Sequence, residues 1–154
     1  MTNNHCIHSL FFELDQASRL AKAYCSKHYN SEFSKKLSFD EFFILDTILC
    51  NPDIHQSDLA KKILKGRSHT SKYLIALEKK GYIERPIIVK NHKSVRILKM
   101  TQKGHDVYKE SNKIAQKFIS EIDSMINPKD INLIRKYLKQ VKETILKLEN
   151  ISFD

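Results

Sequence analysis

Residues 56–80, QSDLAKKILKGRSHTSKYLIALEKK, decide the fold of this 154-residue chain. Apolar residues recur at helical steps on both sides of Gly66, which predicts two helices at about 56–64 and 67–80. Gly81 is expected to end the second helix in a left-handed conformation. Two helices of these lengths with so short a connection are typical of a helix-turn-helix.

The period of the sequence changes from helical to extended after Gly81. Residues 82–89 and 94–100 are β-rich runs, and the polar stretch 90–93 (KNHK) between them predicts a hairpin with a four-residue basic tip. Pro86 lacks an amide hydrogen, so its strand is expected at an edge or its regular pairing is expected to start after it. A helix-turn-helix followed by such a hairpin predicts a winged helix-turn-helix.

Helices are predicted on both sides of this unit. An apolar stripe indicates a long first helix at about 7–29, and an S-x-x-E capping box at Ser38 opens a second helix that stops before Pro52. After the hairpin, Thr101 can cap a further helix. Pro128 then occupies the first position of the last helix, with the preceding asparagine as its cap.

The last helix carries an apolar seam with heptad spacing over nearly three heptads. Together with the stripe of the first helix, this seam predicts a dimer interface, and a packing face within one chain stays open as the alternative. The residues predicted to form the interface are Ile7, Leu10, Leu14, Ile131, Ile134, Leu138, Val141, Ile145 and Leu148.

These elements predict a mainly α (α+β) fold, a winged helix-turn-helix with long N- and C-terminal dimerisation helices. We expect a single domain over residues 1–154. The winged part would lie at about 38–104, and the helical dimerisation part at about 5–35 and 105–150.

The distribution of charge points to a polyanionic partner. The net charge is +9, and residues 55–105 contain 13 Lys or Arg against three Asp or Glu, so the rest of the chain is close to neutral. A basic compact middle favours double-stranded DNA over an anionic membrane, which a basic amphipathic helix would bind. No apolar run is long enough to span a bilayer, the N-terminus is too polar for a secretory signal, and three cysteines without a CxxC pair predict a reducing cytoplasm.

The second helix of the predicted motif must bury one face and present the other to the major groove. This turns its N-terminal polar residues outward, where Arg67 can bind guanine through two hydrogen bonds and Lys72 can neutralise phosphate. The residues predicted to contact DNA are Arg67, Ser68, His69, Ser71 and Lys72 of this helix, and Arg85, Lys90, His92 and Lys93 of the hairpin.

Four stretches in this order resemble the MarR family of bacterial winged-helix regulators. They are 37–45 (LSFDEFFIL), 56–60 (QSDLA), 77–85 (LEKKGYIER) and 100–104 (MTQKG). The resemblance covers nearly the whole chain. It implies a homodimer joined by its N- and C-terminal helices that binds a pseudo-palindromic operator, usually as a repressor released by a small molecule or by oxidation.

The chain departs from the family pattern in two places. The hairpin of the family carries Asp-x-Arg, whose arginine enters the minor groove, whereas Asn91-His92-Lys93 stands here. Lys93 is the best substitute, although a lysine reads groove shape less sharply than an arginine. The turn at 64–66 (LKG) differs from the common Leu-Gly-Val, so the register of the contact residues can shift by one.

Other kinds of site are weaker in the sequence. Relatives that sense peroxide carry a cysteine near the position of Leu14, where this chain has none. The candidates for redox sensing are therefore Cys6 and Cys25. Buried, inert thiols are the alternative for Cys25 and Cys50. Seven histidines without an HxxxH pair, and no nucleophile–base set or phosphate loop, predict no metal, no cofactor and no enzymatic activity.

A small-molecule pocket is one interpretation of the apolar residues where the terminal helices meet the winged part, but a filled core is slightly favoured. The residues around it would be Phe11, Leu14, Phe42, Phe43, Leu45, Leu49 and Phe118. The sequence as a whole favours a homodimeric DNA-binding transcriptional regulator. The alternative is a winged-helix protein-interaction module without sequence-specific DNA binding.

Overall fold

The computed structural model describes residues 6–29, 36–90 and 92–149. Within these ranges the helices are a 3-10 turn at Cys6–His8, α1 (Leu10–Tyr29), α2 (Phe39–Cys50), α3 (Gln56–Ile63), α4 (Arg67–Lys79), α5 (Gln102–Met125) and α6 (Pro128–Glu149). The strands are β1 (Ile83–Glu84), β2 (Ile87–Lys90), β3 (Lys93–Arg96) and β4 (Lys99–Met100). This order confirms the predicted winged helix-turn-helix. Residue 5 and residues 30–35 and 150, at the bounds of the predicted helical part, lie outside the described ranges.

Helix α2 begins at the predicted capping box. The Glu41 amide donates to Ser38 Oγ at 3.2 Å, and the Ser38 amide donates to Glu41 Oε2 at 2.7 Å. Each side chain thereby satisfies an amide that the helix leaves unpaired. The helix then runs through the middle of the fold, and its buried apolar side chains are Phe42, Ile44, Leu45 and Ile48.

Helix α4 begins directly after Gly66, as predicted, but the left-handed residue of the turn between α3 and α4 is Leu64. Leu64 has a left-handed φ of 52°, whereas Gly66 has a φ of −59° and forms the N-cap of α4. A left-handed leucine costs about 1 kcal/mol or more. The turn offsets that cost because the Lys65 amide donates to Ala60 O at 3.1 Å. At the other end of α4, Gly81 has a φ of 74° and is the predicted left-handed cap.

The hairpin has a shorter loop than the sequence predicted. Strands β2 and β3 pair antiparallel in a register that places Lys90 opposite Lys93, so the connection is two residues and not four. Strand propensity depends strongly on context, and ladder hydrogen bonds extend the strands through both lysines. Regular pairing starts after Pro86, as expected, and β1 pairs with β4 at the foot of the hairpin.

The two C-terminal helices begin at the predicted caps. The Gly104 amide donates to Thr101 Oγ1 at 3.0 Å at the start of α5, and the Lys129 amide donates to Asn127 Oδ1 at 2.9 Å beside Pro128 of α6. Gly104 is required for close packing, because a Cβ built on it would lie 2.0 Å from Tyr82 O.

The hydrophobic core lies in the winged head, which we define as residues 37–104. Its fully buried apolar side chains are Leu37, Ile44, Leu45, Leu59, Leu74, Leu77, Ile97 and Leu98. Tyr29 at the end of α1 and Phe118 of α5 are also buried and attach the head to α1 and α5. We call α1 and α6 the terminal helices. No described side chain of α6 is buried.

Candidate nucleic-acid interface

Helix α4 presents one face to the core and the other to solvent, as the second helix of the motif must. Thr70, Leu74 and Leu77 are buried, and Tyr73 is half-buried. The Thr70 hydroxyl donates to Gly66 O at 3.1 Å, which ties the first turn of the helix to the turn before it. The N-terminal half of α4 therefore stands on a rigid support.

The outward face of α4 carries most of the predicted DNA contacts. The side chains of Arg67, Ser68, His69 and Lys72 are exposed, and Ser71 is half-buried. Exposed donors at the first turns of such a helix have the placement that reading base edges in a major groove requires.

The tip of the hairpin carries further exposed basic residues. Lys90, His92 and Lys93 are all exposed, and His92 has a left-handed φ of 60°. Asn91 lies outside the described residues. The foot of the hairpin is joined to the residue before α3, since His55 Nδ1 lies 3.2 Å from Arg96 O.

Arg85 has a different environment from the other predicted contacts. Its guanidinium forms an ion pair with Glu78 at the end of α4, and its side chain is only 18% exposed. The hydrogen bond from Arg85 lowers the pKa of the Glu78 carboxyl. In the free protein Arg85 joins α4 to the hairpin, so a DNA contact from this residue would first require that pair to open.

A polar network beneath α4 was missed by the sequence reasoning. Lys65 Nζ donates to Asp40 Oδ1 at 3.0 Å, and the Tyr73 hydroxyl donates to Asp40 Oδ2 at 2.9 Å. We call these three residues the Asp40 triad. Partial burial favours a higher pKa for Asp40, but the hydrogen bonds from Lys65 and Tyr73 outweigh it and the pKa is lowered. Burial, and then the bond to Asp40, raise the pKa of Tyr73.

The next residue, Glu41, makes a second link to α4. Both of its carboxylate oxygens accept hydrogen bonds from Lys80 Nζ, each at 2.7 Å, while Glu41 is only 4% exposed. Lys80 is the C-cap of α4. The capping box predicted a role for Glu41 at the start of α2. It did not predict the contact with Lys80, which is 39 residues away.

The predicted dimer residues lie on surfaces that one chain leaves open. Leu138 is 41% exposed and Leu148 is 78% exposed, which argues against a packing face within one chain. The others are also exposed or half-buried, and they are Ile7, Leu10, Leu14, Ile131, Ile134, Val141 and Ile145.

The predicted pocket residues divide into two groups. Phe42, Leu45 and Phe118 are buried in the core, as the alternative of a filled core expected. Phe11, Phe43 and Leu49 are exposed, and Leu14 is half-buried. A cavity of about 380 Å³ lies between α1 and α5 and is lined by His28, Lys113, Ile114, Lys117, Phe118 and Glu121.

The cysteines differ from the expectation in one respect. Cys50 is exposed and not buried, because α2 ends there at the surface. Cys25 is half-buried, and burial raises the pKa of its thiol. Cys6 is exposed. In the described ranges no three His, Cys, Asp or Glu side chains converge as a metal site would require. None of the described helices is both long and apolar enough to cross a membrane.

Comparison with known proteins agrees with this geometry. The family model for the MarR family matches residues 37–95. No curated protein matches the sequence. Among solved structures, a MarR transcriptional regulator from Methanosarcina mazei Go1 superposes with a TM-score of 0.69 at 20% identity, over 88% of this chain and 97% of that chain.

Two further structures share the fold over a similar length. The S. aureus MepR–DNA complex has a TM-score of 0.74 at 15% identity and covers 89% of this chain and 99% of its own. The organohalide-sensing regulator RdhR-CbdbA1625 with 2,4-dichlorophenol bound has a TM-score of 0.75 at 20% identity, over 95% of this chain and 87% of that chain. Residues 37–95 thus match the MarR family model, and these solved structures share the fold over most of the chain.

Proposed function

We propose that this chain is a DNA-binding transcriptional regulator that binds a pseudo-palindromic operator as a homodimer and represses by occluding a promoter. The observation that carries the proposal is the exposed N-terminal face of α4. Arg67, His69 and Lys72 project from it, and the exposed Lys90 and Lys93 of the hairpin add further positive charge. The fold is also that of MepR, which has been crystallised with DNA.

The homodimer is supported by the apolar surface of the terminal helices. A seam of leucine and isoleucine along α6 that is half exposed in water is costly, at about 25 cal/mol for each Å² left uncovered. A second copy, packed by two-fold symmetry, would cover it with the same seam. Two recognition helices related by that axis would match half-sites about 10 base pairs apart.

One observation favours the alternative of a protein-interaction module. Ile87 is 62% exposed and Val89 is 76% exposed on the outer side of β2, where a hairpin devoted to DNA would gain more from charge. The two functions predict different results in the same binding experiment.

The test is selection of duplexes from a random pool by the full-length protein, followed by salt titration. We expect an inverted repeat to be enriched and to bind at least about a thousandfold more tightly than random duplex. Arg67→Ala should lose affinity more on the selected duplex than on random DNA. Lys142→Ala, which removes one exposed charge from α6, is the matched control and should change neither. Equal affinity for all duplexes would overturn sequence-specific binding and favour the interaction module.

Regulation by a small molecule is the finer part of the proposal. It is supported by the cavity of about 380 Å³ between α1 and α5, which is lined by Lys113 and Lys117 as well as by Phe118. Oxidation is the alternative signal, with the exposed Cys6 as its candidate, because a raised pKa keeps the Cys25 thiol protonated and slow to react. Peroxide that leaves the operator affinity of the wild type unchanged would exclude oxidation.

A further inference from the structure

The first turn of α2 holds the recognition helix α4 at two separate points. Asp40 binds Lys65 in the turn before α4 and Tyr73 in its middle, at 3.0 and 2.9 Å. Lys65 Nζ also lies 5.2 Å from the centre of the Tyr73 ring, so the Asp40 triad is closed on itself. Glu41 binds Lys80 at the C-cap with both oxygens at 2.7 Å.

These links restrain motions that the apolar contacts of α4 permit. Burial of Leu74 and Leu77 determines which face of α4 points inward, but hydrophobic contact is non-directional and tolerates a small tilt or slide. Charge-assisted hydrogen bonds are directional. Tyr73 and Lys80 are seven residues apart, so the two attachments lie about 10 Å apart along the helix axis. Attachment at two points resists tilt, which attachment at one point does not.

We propose that Asp40 and Glu41 are positioning residues of the winged head, which set the tilt of α4 and thereby its discrimination between operator and random DNA. The inference rests on the proposed function. Its physical basis is that reading base edges requires side chains held to within about 0.5 Å and 10–20° of their productive geometry. Attraction to phosphates tolerates a larger error, because it depends mainly on net charge.

The position of this turn in the fold gives the two carboxylates a second consequence. Phe39 precedes Asp40 directly, and its ring lies 5.3 Å from that of Tyr29 in α1 and 5.9 Å from that of Phe118 in α5, measured between ring centres. The same turn of α2 therefore contacts α1, α5 and α4. A displacement of α2 by α1 or α5 would reach α4 through Asp40 and Glu41.

The test compares full-length variants on two DNA probes. One probe is the duplex that the wild type selects from a random pool, and the other is a random duplex of the same length. Asp40→Asn removes the charge that pairs with Lys65 and weakens the hydrogen bond from Tyr73, with little change in shape. Tyr73→Phe removes the hydrogen bond from Tyr73 alone, and the double variant combines the two changes. The control is Asp58→Asn, the same chemical change on an exposed residue in the first turn of α3.

We expect Asp40→Asn to lower the affinity for the selected duplex about tenfold, the size of one charge-assisted hydrogen bond, and not to lower it for random DNA. Asp58→Asn should leave the ratio of the two affinities unchanged, because the loss of one acidic charge acts on both probes alike. The double variant should lose less affinity than the sum of the two single losses, since both changes act on the hydrogen bond between Tyr73 and Asp40. Titration of the Tyr73 ring by NMR should give a lower pKa in Asp40→Asn than in the wild type.

The outcomes separate failure of this inference from failure of the proposed function. If the wild type selects a duplex and the Tyr73 titration shifts, but the affinity ratio of Asp40→Asn stays within twofold of wild type, the positioning role is wrong and DNA binding stands. An unshifted Tyr73 titration would show that the triad does not exist in solution and would also overturn it. A wild type that selects no duplex overturns both.

Discussion

The winged head and the terminal helices bury their apolar side chains to different extents. In the head, leucines such as Leu59, Leu74 and Leu77 are fully buried within one chain. In α6, Leu138 and Leu148 remain exposed, and α1 buries only Tyr29 among its described side chains. The apolar side chains of the head are thus covered within one chain, whereas the terminal helices leave apolar faces exposed.

The polar contacts follow the same division. The head contains pairs between residues far apart in sequence, such as Lys80 with Glu41 and Lys65 with Asp40. In α6 the described pairs are exposed ones, Lys139 with Glu143 and Arg135 with Asp123, each at 3.9 Å. Directional bonds therefore hold the head in one geometry, whereas α6 exposes both its apolar seam and its charged pairs.

The largest effect is expected from a charge in the seam of α6. Leu138→Glu should raise the dissociation constant of the dimer by at least about a thousandfold, because two-fold symmetry places two charges in an apolar interface, at about 2 kcal/mol or more each. Light scattering after gel filtration at low micromolar concentration would show a monomer. Gln140→Glu, an equally charged change at an exposed residue of α6, should remain dimeric. A dimeric Leu138→Glu would place the interface elsewhere.

The next effect concerns the core of the head. Leu74→Ala should lower the free energy of unfolding by about 2–5 kcal/mol, since it removes a fully buried side chain and leaves a cavity. Ile75→Ala, at the exposed neighbouring position of α4, should cost less than about 1 kcal/mol. Urea denaturation measures both. Similar costs for the two variants would mean that α4 does not bury the face described here.

A smaller effect is expected at the tip of the hairpin. Lys93→Ala should weaken binding to all duplexes uniformly and reduce the slope of log affinity against log salt by about one, because an exposed lysine neutralises one phosphate. Its free energy of unfolding should stay within about 0.5 kcal/mol of the wild type. A loss confined to the selected duplex would instead assign Lys93 a reading role.

The smallest effect is the pH dependence of the Asp40 triad. The pKa of Asp40 is lowered in the folded chain, so its stabilising contribution is complete above the unfolded value of about 4 and is lost as the pH falls through the lower folded value. Asp40→Asn should therefore be less stable than the wild type at pH 7, and this difference should shrink below about pH 4. Denaturation at several pH values measures it. A difference that is constant with pH would contradict the ion pair.

Structural features that depend on neighbouring residues could be predicted from the sequence alone. The capping box of Ser38, the cap of Thr101 and the left-handed Gly81 all join groups within a few residues, so helical period and capping chemistry predicted where these helices begin and end. The hairpin followed from strand propensity, although its loop proved shorter because ladder hydrogen bonds extended both strands to Lys90 and Lys93. The DNA contacts at the start of α4 stay predictions, on residues that the structure shows to be exposed.

The polar groups that meet across the head could be identified only from the tertiary fold. Asp40 lies 25 residues from Lys65 and 33 from Tyr73, and Glu41 lies 39 from Lys80. The sequence predicted Arg85 to be a DNA contact of the hairpin, and its ion pair with Glu78 was found only in the structure. The physical reason is that a hydrogen bond within one helical turn needs only local backbone geometry. A bond between distant residues depends on the path of the whole chain, which apolar packing sets and no local pattern records.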